Sequence, residues 1–277
     1  MFSVSDLTLF EYCKRKLYLL KNFGLKEKLR IPARGKIIHA CFSKLAESEQ
    51  LIIGSLTDAD RAMIRVQYQN AAKDIISSLL EKNDVEDPKL KKDMESLLKS
   101  HIDYRVEQVM AAMRRYESRG PALWSVFVPK IQPEQHIISP TLQIRGIVDC
   151  VEEYEDELIP IEIKTGKAPK KGVWSNHRLQ LSAYLLMLSE TRKKPVKKGI
   201  VRYVDQNIER SVVMNAFIRD EVRNTINSVE KTLRGFIPPL TDNTRKCKSC
   251  TLKAMCYDEE RIAALQAEIV SRKGGNA

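Results

Sequence analysis

The chain has no run approaching eighteen consecutive apolar residues, so a membrane-spanning helix is not expected. Its first residues, MFSVSDLTLFEYCKRK, lack a basic n-region and a small-residue cleavage site, so a secretory leader is not expected either and a cytoplasmic location is. Without secretory features, the six cysteines argue against a disulfide framework and leave metal binding or simple burial. No Gly-x4-Gly-Lys-Ser/Thr loop is present, which argues against ATP hydrolysis by this chain. Internal repeats, the mark of solenoids and propellers, are absent as well.

What is there is a globular composition: 277 residues, 43% hydrophobic and 30% charged, enough for one sizeable core or two small ones. The net charge of +11 predicts attraction to a polyanion, nucleic acid first, because each neutralised phosphate releases counterions. A charged, solvated surface would give the same count, and composition does not separate the two.

Ser3 or Ser5 can cap a first helix on which Leu9, Cys13, Leu17 and Leu20 share a face, with Cys13 pointing inward. From about Thr57 to Arg119 two helices are expected, with apolar stripes Ile64, Tyr68, Ala72, Ile75, Leu79 and, beyond Pro88, Leu98, Ile102, Val106, Val109, Met113. The pattern then shortens to strands at Trp124 to Val128, Glu134 to Ile138, Leu142 to Val151 and Glu157 to Thr165. The Glu155-Asp156 turn makes the last two an antiparallel hairpin, which brings Asp149 near Glu162. A helix from Asn176 to Leu188, strands Ile200 to Val204 and Arg210 to Met214, and a helix Ala216 to Arg234 follow, and the final Lys-Gly-Gly-Asn-Ala is expected to fray.

Gly146-Ile-Val-Asp149, followed thirteen residues later by Glu162-Ile163-Lys164, sets three polar groups on apolar strands. Alternation puts Glu162 and Lys164 on one face and Ile161 and Ile163 on the other. Two buried carboxylates require a compensating cation, a metal ion or Lys164. Phosphodiester hydrolysis uses such parts: oxygen ligands for a hard divalent ion, and a cation to orient water or to stabilise developing charge. A salt bridge at a sheet edge would use the same three residues. Gln180 and Tyr184, at i and i+4 on the next helix, weaken that reading because they can reach one ligand and packing does not require a glutamine.

The D-x12-E-x-K pattern followed by Q-x3-Y resembles the PD-(D/E)XK nuclease superfamily in its RecB-like branch, with Ile147-Val148 where a proline would precede the aspartate. The resemblance implies an α/β (α+β) restriction-endonuclease-like core, a mixed sheet flanked by helices. It also implies Mg2+ or Mn2+ on Asp149, Glu162 and the Ile163 main-chain carbonyl. Gly35-x3-His39 matches the branch's Gly-x3-His, which makes His39 the third side-chain ligand. Glu134 matches a weaker acidic position.

Cys247-x2-Cys250-x5-Cys256 sets three thiols among Lys246, Lys248 and Lys253, cations that favour thiolates. Cys13 is the leading fourth donor, since Cys41 lies near the proposed nuclease helix and Cys150 sits in a strand. Zinc fits four such thiols. An N-terminal cysteine with a C-terminal Cys-x2-Cys-x5-Cys also resembles the iron-sulfur nucleases of the Cas-four family, and Cys13-Lys14-Arg15 looks like that family's Cys-Pro-Arg start with lysine for proline.

The Cas-four resemblance implies a 4Fe-4S cluster, with 2Fe-2S left open, on Cys13, Cys247, Cys250 and Cys256. Its place would be structural and DNA-positioning, a clasp between the two ends. The resemblance also implies a single-strand DNA exonuclease, 5'-to-3', which processes ends of new spacer DNA in CRISPR adaptation with Cas-one and Cas-two integrase partners. A repair nuclease beside a helicase and a non-catalytic iron-sulfur DNA-binding scaffold are the alternatives. Three units are expected: 1–30 with 235–277 as cluster lobe, 31–123 helical with His39 and an insertion, and 124–234 as nuclease core. Lys167, Lys170 and Lys171, with a second run at Lys193, Lys194, Lys197 and Lys198, can track a DNA backbone, with Trp174 and His177 for stacking or phosphate contact.

Overall fold

A computed structural model describes residues 1–25, 33–57 and 60–274. The N-terminus starts as a short strand, β1 (Phe2–Ser3), and Ser3 then caps α1 (Val4–Tyr12) through a reciprocal capping box with Asp6. The expected single first helix is two. Cys13 is extended (φ −162°, ψ 107°) and starts α2 (Lys14–Asn22), so it sits half-exposed at the break instead of inward on a continuous face.

Three long helices follow: α3 (Ala33–Gly54), α4 (Arg61–Lys82) and α5 (Pro88–Tyr116). Asp60 and Asp87 cap the last two, and Pro88 opens α5, where its missing N–H costs nothing. Their stripes are buried as expected, except that Ile76 takes the place given to Ile75. Trp124 to Val128 is not a strand. Gly120, at φ 57°, and Pro121 start α6 (Gly120–Val126), which carries Leu123 into the core of the helical layer. An aromatic and β-branched run reads alike in a strand and in a buried helical turn, and packing decided for the helix.

The sheet is β2 (Lys130–Ser139), β3 (Ile144–Glu153), β4 (Leu158–Lys164), β5 (Lys198–Tyr203) and β6 (Ile208–Val213), with β1 added to β3. Its order is β1-β3-β4-β5-β6, with β2 on β3. β4 and β5 are parallel, joined by α7 (Ser175–Thr191), and β3 and β4 form the expected antiparallel hairpin with Cys150 opposite Ile161. After β6 comes α8 (Ala216–Leu233). α1, α7 and α8 pack with Val148, Val201 and Tyr203 on one sheet face. The other face, with Ile163 and Val204, receives α3 to α6.

The C-terminal region folds as α9 (Thr244–Lys248), α10 (Lys253–Cys256) and α11 (Glu259–Gly274), whose Ile262 packs on Tyr18 and Leu19 of α2. The expected fraying of the final residues falls partly outside the described ones, since 275–277 are not among them, while Lys273 and Gly274 still belong to α11. Among the described residues no helix is long and apolar enough to cross a membrane.

Candidate active site and cysteine centre

β3 loses its alternation at Asp149: Val148 and Val151 both enter the core under α7. The irregularity lies where β3 leaves β1 for β4, and it turns Asp149 to the end of the sheet. There Asp149 Oδ2 accepts the Ile163 N–H at 2.7 Å, and Oδ1 lies 3.1 Å from His39 Nδ1 on α3. Burial works to lower the His39 pKa, but the hydrogen bond and charge of Asp149 outweigh it and the net shift is upward.

Glu162 and Lys164 share a face, as alternation requires, and Lys164 Nζ donates to Glu162 Oε1 and to Gln180 Oε1, both at 2.8 Å. Glu162 is 2% exposed, and its Oε2 has no hydrogen-bond partner. Burial first, and the charge of Asp149 second, push its carboxyl up to about 7. A buried carboxylate oxygen with nothing to accept from, beside a second carboxylate and an imidazole, is a donor set suited to a hard cation. Tyr184 lies one turn beyond Gln180, buried, its pKa raised by burial and then by Glu162.

The structure therefore brings His39, Asp149, Glu162, Ile163, Lys164, Gln180 and Tyr184 together, from α3, β3, β4 and α7. Glu134 lies opposite Asp149 on β2, exposed and left-handed at φ 46°. Lys167, Lys170 and Lys171 are exposed on the loop leaving β4. Trp174, 48% exposed, donates its indole N–H to the Lys167 carbonyl, while His177 Nδ1 is 3.1 Å from Tyr203 Oη. In the second lysine run, Lys194 and Lys198 pair with Glu153 and Glu157.

Two residues without a sequence signal shape this region. Asp205 accepts the Gly166 N–H at 2.6 Å and pairs with Arg34, which also pairs with Asp93 on α5. That chain ties the loop after Lys164 to the start of α3 and to the helical layer. Its members lie far apart in sequence, so no local motif marks them.

Cys13, Cys247, Cys250 and Cys256 line one cavity between α2 and the C-terminal helices, together with Arg15 and Lys246. Lys246 Nζ donates to the Tyr12 carbonyl at 2.8 Å, which joins the two ends of the chain. Lys246, Lys248 and Lys253 are expected to favour thiolates here, yet at Cys256 burial raises the thiol and Arg15 offsets only part of that. Cys41 and Cys150 are buried elsewhere, their thiols raised by burial, Cys41 to about 12. Among the described residues, no three His, Cys, Asp or Glu side chains converge closely enough to hold a metal ion as they stand.

The chain is similar to a CRISPR-associated exonuclease Cas4/endonuclease Cas1 fusion of Leptospira interrogans, 27% identical over 45% of this chain and 24% of the relative. It is similar also to CRISPR-associated exonuclease Cas4 of Francisella tularensis subsp. novicida, 28% identical over 44% of this chain and 60% of that one. A third relative is the DNA replication ATP-dependent helicase/nuclease JHS1 of Arabidopsis thaliana, 25% identical over 46% of this chain and 10% of the relative. The chain thus spans about a quarter of the fusion protein and a tenth of the helicase/nuclease. The sequence signature of the PD-(D/E)XK nuclease superfamily matches residues 1–257, over the same strands and helix that carry Asp149, Glu162, Lys164 and Gln180, and the chain belongs to that superfamily.

Proposed function

We propose that this protein hydrolyses DNA phosphodiesters as a metal-dependent exonuclease acting on single strands or DNA ends. The observation that carries the reading is the unpartnered, buried Glu162 Oε2 beside Asp149, with Lys164 held between Glu162 and Gln180. His39, Asp149, Glu162 and the Ile163 carbonyl would hold Mg2+ or Mn2+. The chemistry such an ion supplies when bound is polarisation of a phosphoryl oxygen and acidification of water.

Lys164 would place its ammonium where negative charge grows on the phosphate, and its two acceptors fix its direction. Gln180 and Tyr184 stand on the helix behind it and set the position of Lys164 and of the strand. The exposed Lys167, Lys170 and Lys171 follow the DNA backbone, with Trp174 and His177 beside them as stacking surfaces.

The four cysteines that line the shared cavity would hold a 4Fe-4S cluster, which would close the two chain ends into one lobe. This lobe, the helical layer and the sheet act as three units. The CRISPR-associated exonuclease Cas4 and Cas4/endonuclease Cas1 relatives favour a CRISPR setting beside a Cas1 protein. Within that setting the reading extends to spacer DNA ends, 5'-to-3' polarity, Cas2 as a second partner and a cytoplasmic location. The helicase/nuclease relative favours a second reading, end processing beside a helicase in replication or repair.

The test is cleavage of single-stranded DNA in Mn2+ by protein purified without oxygen, with either end labelled, comparing wild type with Glu162→Ala. Cutting by the wild type alone supports the reading, and the label released first gives the polarity. Binding without cutting by both proteins overturns it in favour of a DNA scaffold.

A further inference from the structure

Arg15 is 7% exposed, yet among the described residues no carboxylate pairs with it. One guanidinium nitrogen, Nη1, donates to the Pro238 carbonyl at 3.1 Å. Nε is buried and has no partner at all. A guanidinium removed from water without a counter-ion is unfavourable. Such an arrangement persists where an anion completes it.

The guanidinium lines the cavity shared by Cys13, Cys247, Cys250 and Cys256. Around it the remaining charged neighbours in that wall, Lys16, Lys246 and Lys253, are all cations. A divalent metal ion or an iron-sulfur core held by four thiolates is a net anion, and an arginine donates to such sulfurs as it does to a carboxylate.

We propose that Arg15 is the buried counter-cation of an anionic tetrathiolate centre on these cysteines, its free Nε–H directed to thiolate sulfur. The proposal rests on the reading that the four cysteines hold one centre, but it asks only for the charge of that centre, not for iron. Arg15 is a positioning residue: it holds the centre by charge, whereas Lys14, its exposed neighbour over the Phe10 ring, does not face the cavity.

The experiment uses full-length protein purified without oxygen as wild type, Arg15→Met, Arg15→Lys and Lys14→Met. Iron, sulfide and zinc per chain in the wild type judge the cluster reading. The half-time of metal release to excess chelator, and the thermal midpoint of loaded and chelator-stripped protein, judge the role of Arg15. The expected result is release about tenfold faster from Arg15→Met, with Arg15→Lys and Lys14→Met close to wild type. Stripped Arg15→Met should melt no lower than stripped wild type.

Equal release from the Met and Lys variants would make the guanidinium a mere cap on Pro238 and overturn the proposal. An equal drop in the midpoint of loaded and stripped Arg15→Met would do the same. Zinc in place of iron overturns the cluster reading and leaves the release rates to decide on Arg15. A wild type that takes up neither metal overturns both.

Discussion

The ring of Tyr184 packs into the space that a side chain on Gly146 would fill: an added Cβ would stand 2.6 Å from Tyr184 Cε1 and 2.9 Å from Val4 Cγ2. Both neighbours are buried, so neither can swing away. Gly146→Ala is expected to cost about 1–3 kcal/mol through overpacking and to move Tyr184 relative to Glu162. Urea unfolding and cleavage rate should both fall, the rate by more than the unfolded fraction accounts for. An unchanged unfolding midpoint would show that the strand yields freely there.

Glu162 sets function against stability. Its carboxyl is buried beside Asp149 and keeps an unpartnered oxygen, so in the metal-free protein its charge is unfavourable at neutral pH. Glu162→Gln should abolish cleavage and raise the stability of metal-free protein by on the order of 2 kcal/mol, while Lys164 retains a side-chain oxygen to donate to. Thermal melts in EDTA at pH 8 check the stability. A melt lowered by the substitution would mean that Glu162 is held by its pairing with Lys164 and not poised for a cation.

Much of this site was legible because strand alternation and helix spacing are local rules. Asp149, Glu162, Lys164, Gln180 and Tyr184 meet as the D-x12-E-x-K and Q-x3-Y spacings require. The helix at Trp124 was not legible, since Leu123 and Phe127 are buried by α3 to α5, a tertiary choice that overrides local preference. The break at Cys13 was hidden for a similar reason: Leu9, Cys13, Leu17 and Leu20 keep helical spacing through it, while α2 is placed by tertiary packing, with Leu17 in the sheet-side core and Tyr18 and Leu19 against Ile262. Arg34 with Asp205 and Arg15 with the distant cysteines join residues more than 150 positions apart, which no local pattern encodes.

Two histidines should make the fold sensitive to acid. Burial first, then the charge of Lys164, hold His177 down to about 4 against the Tyr203 hydroxyl. His101 is lowered by burial and by Arg202 and Arg105. From about pH 6.5 downward the unfolded chain takes up protons that the folded chain refuses, so stability falls as pH drops toward 4. His39 works the other way, because Asp149 draws its pKa up. Urea midpoints at pH 7.5 and 5.5 should fall less for the double variant His101→Gln, His177→Gln than for wild type. An equal fall in both proteins would assign the acid sensitivity to carboxylates.

Inside the helical layer, Glu49 and Arg105 form a bidentate pair with 1% and 0% exposure, which Tyr68 and the Pro129 carbonyl complete with hydrogen bonds. Arg105 also stands 5.0 Å over the Phe127 ring, so the pair links α3 and α5 to the residue that ends α6. Removing one partner leaves the other charged and dry, and Glu49→Leu or Arg105→Met alone should cost about 3–5 kcal/mol. Replacing both removes that penalty, and apolar side chains of similar volume suit a site walled by Tyr68 and Phe127. The double variant is therefore expected to be more stable than either single one and close to wild type, a coupling that thermal unfolding of the four proteins measures directly. Additive losses in the double variant would mean that the pair is held by its hydrogen bonds to Tyr68 and Pro129 more than by the charge of its partner.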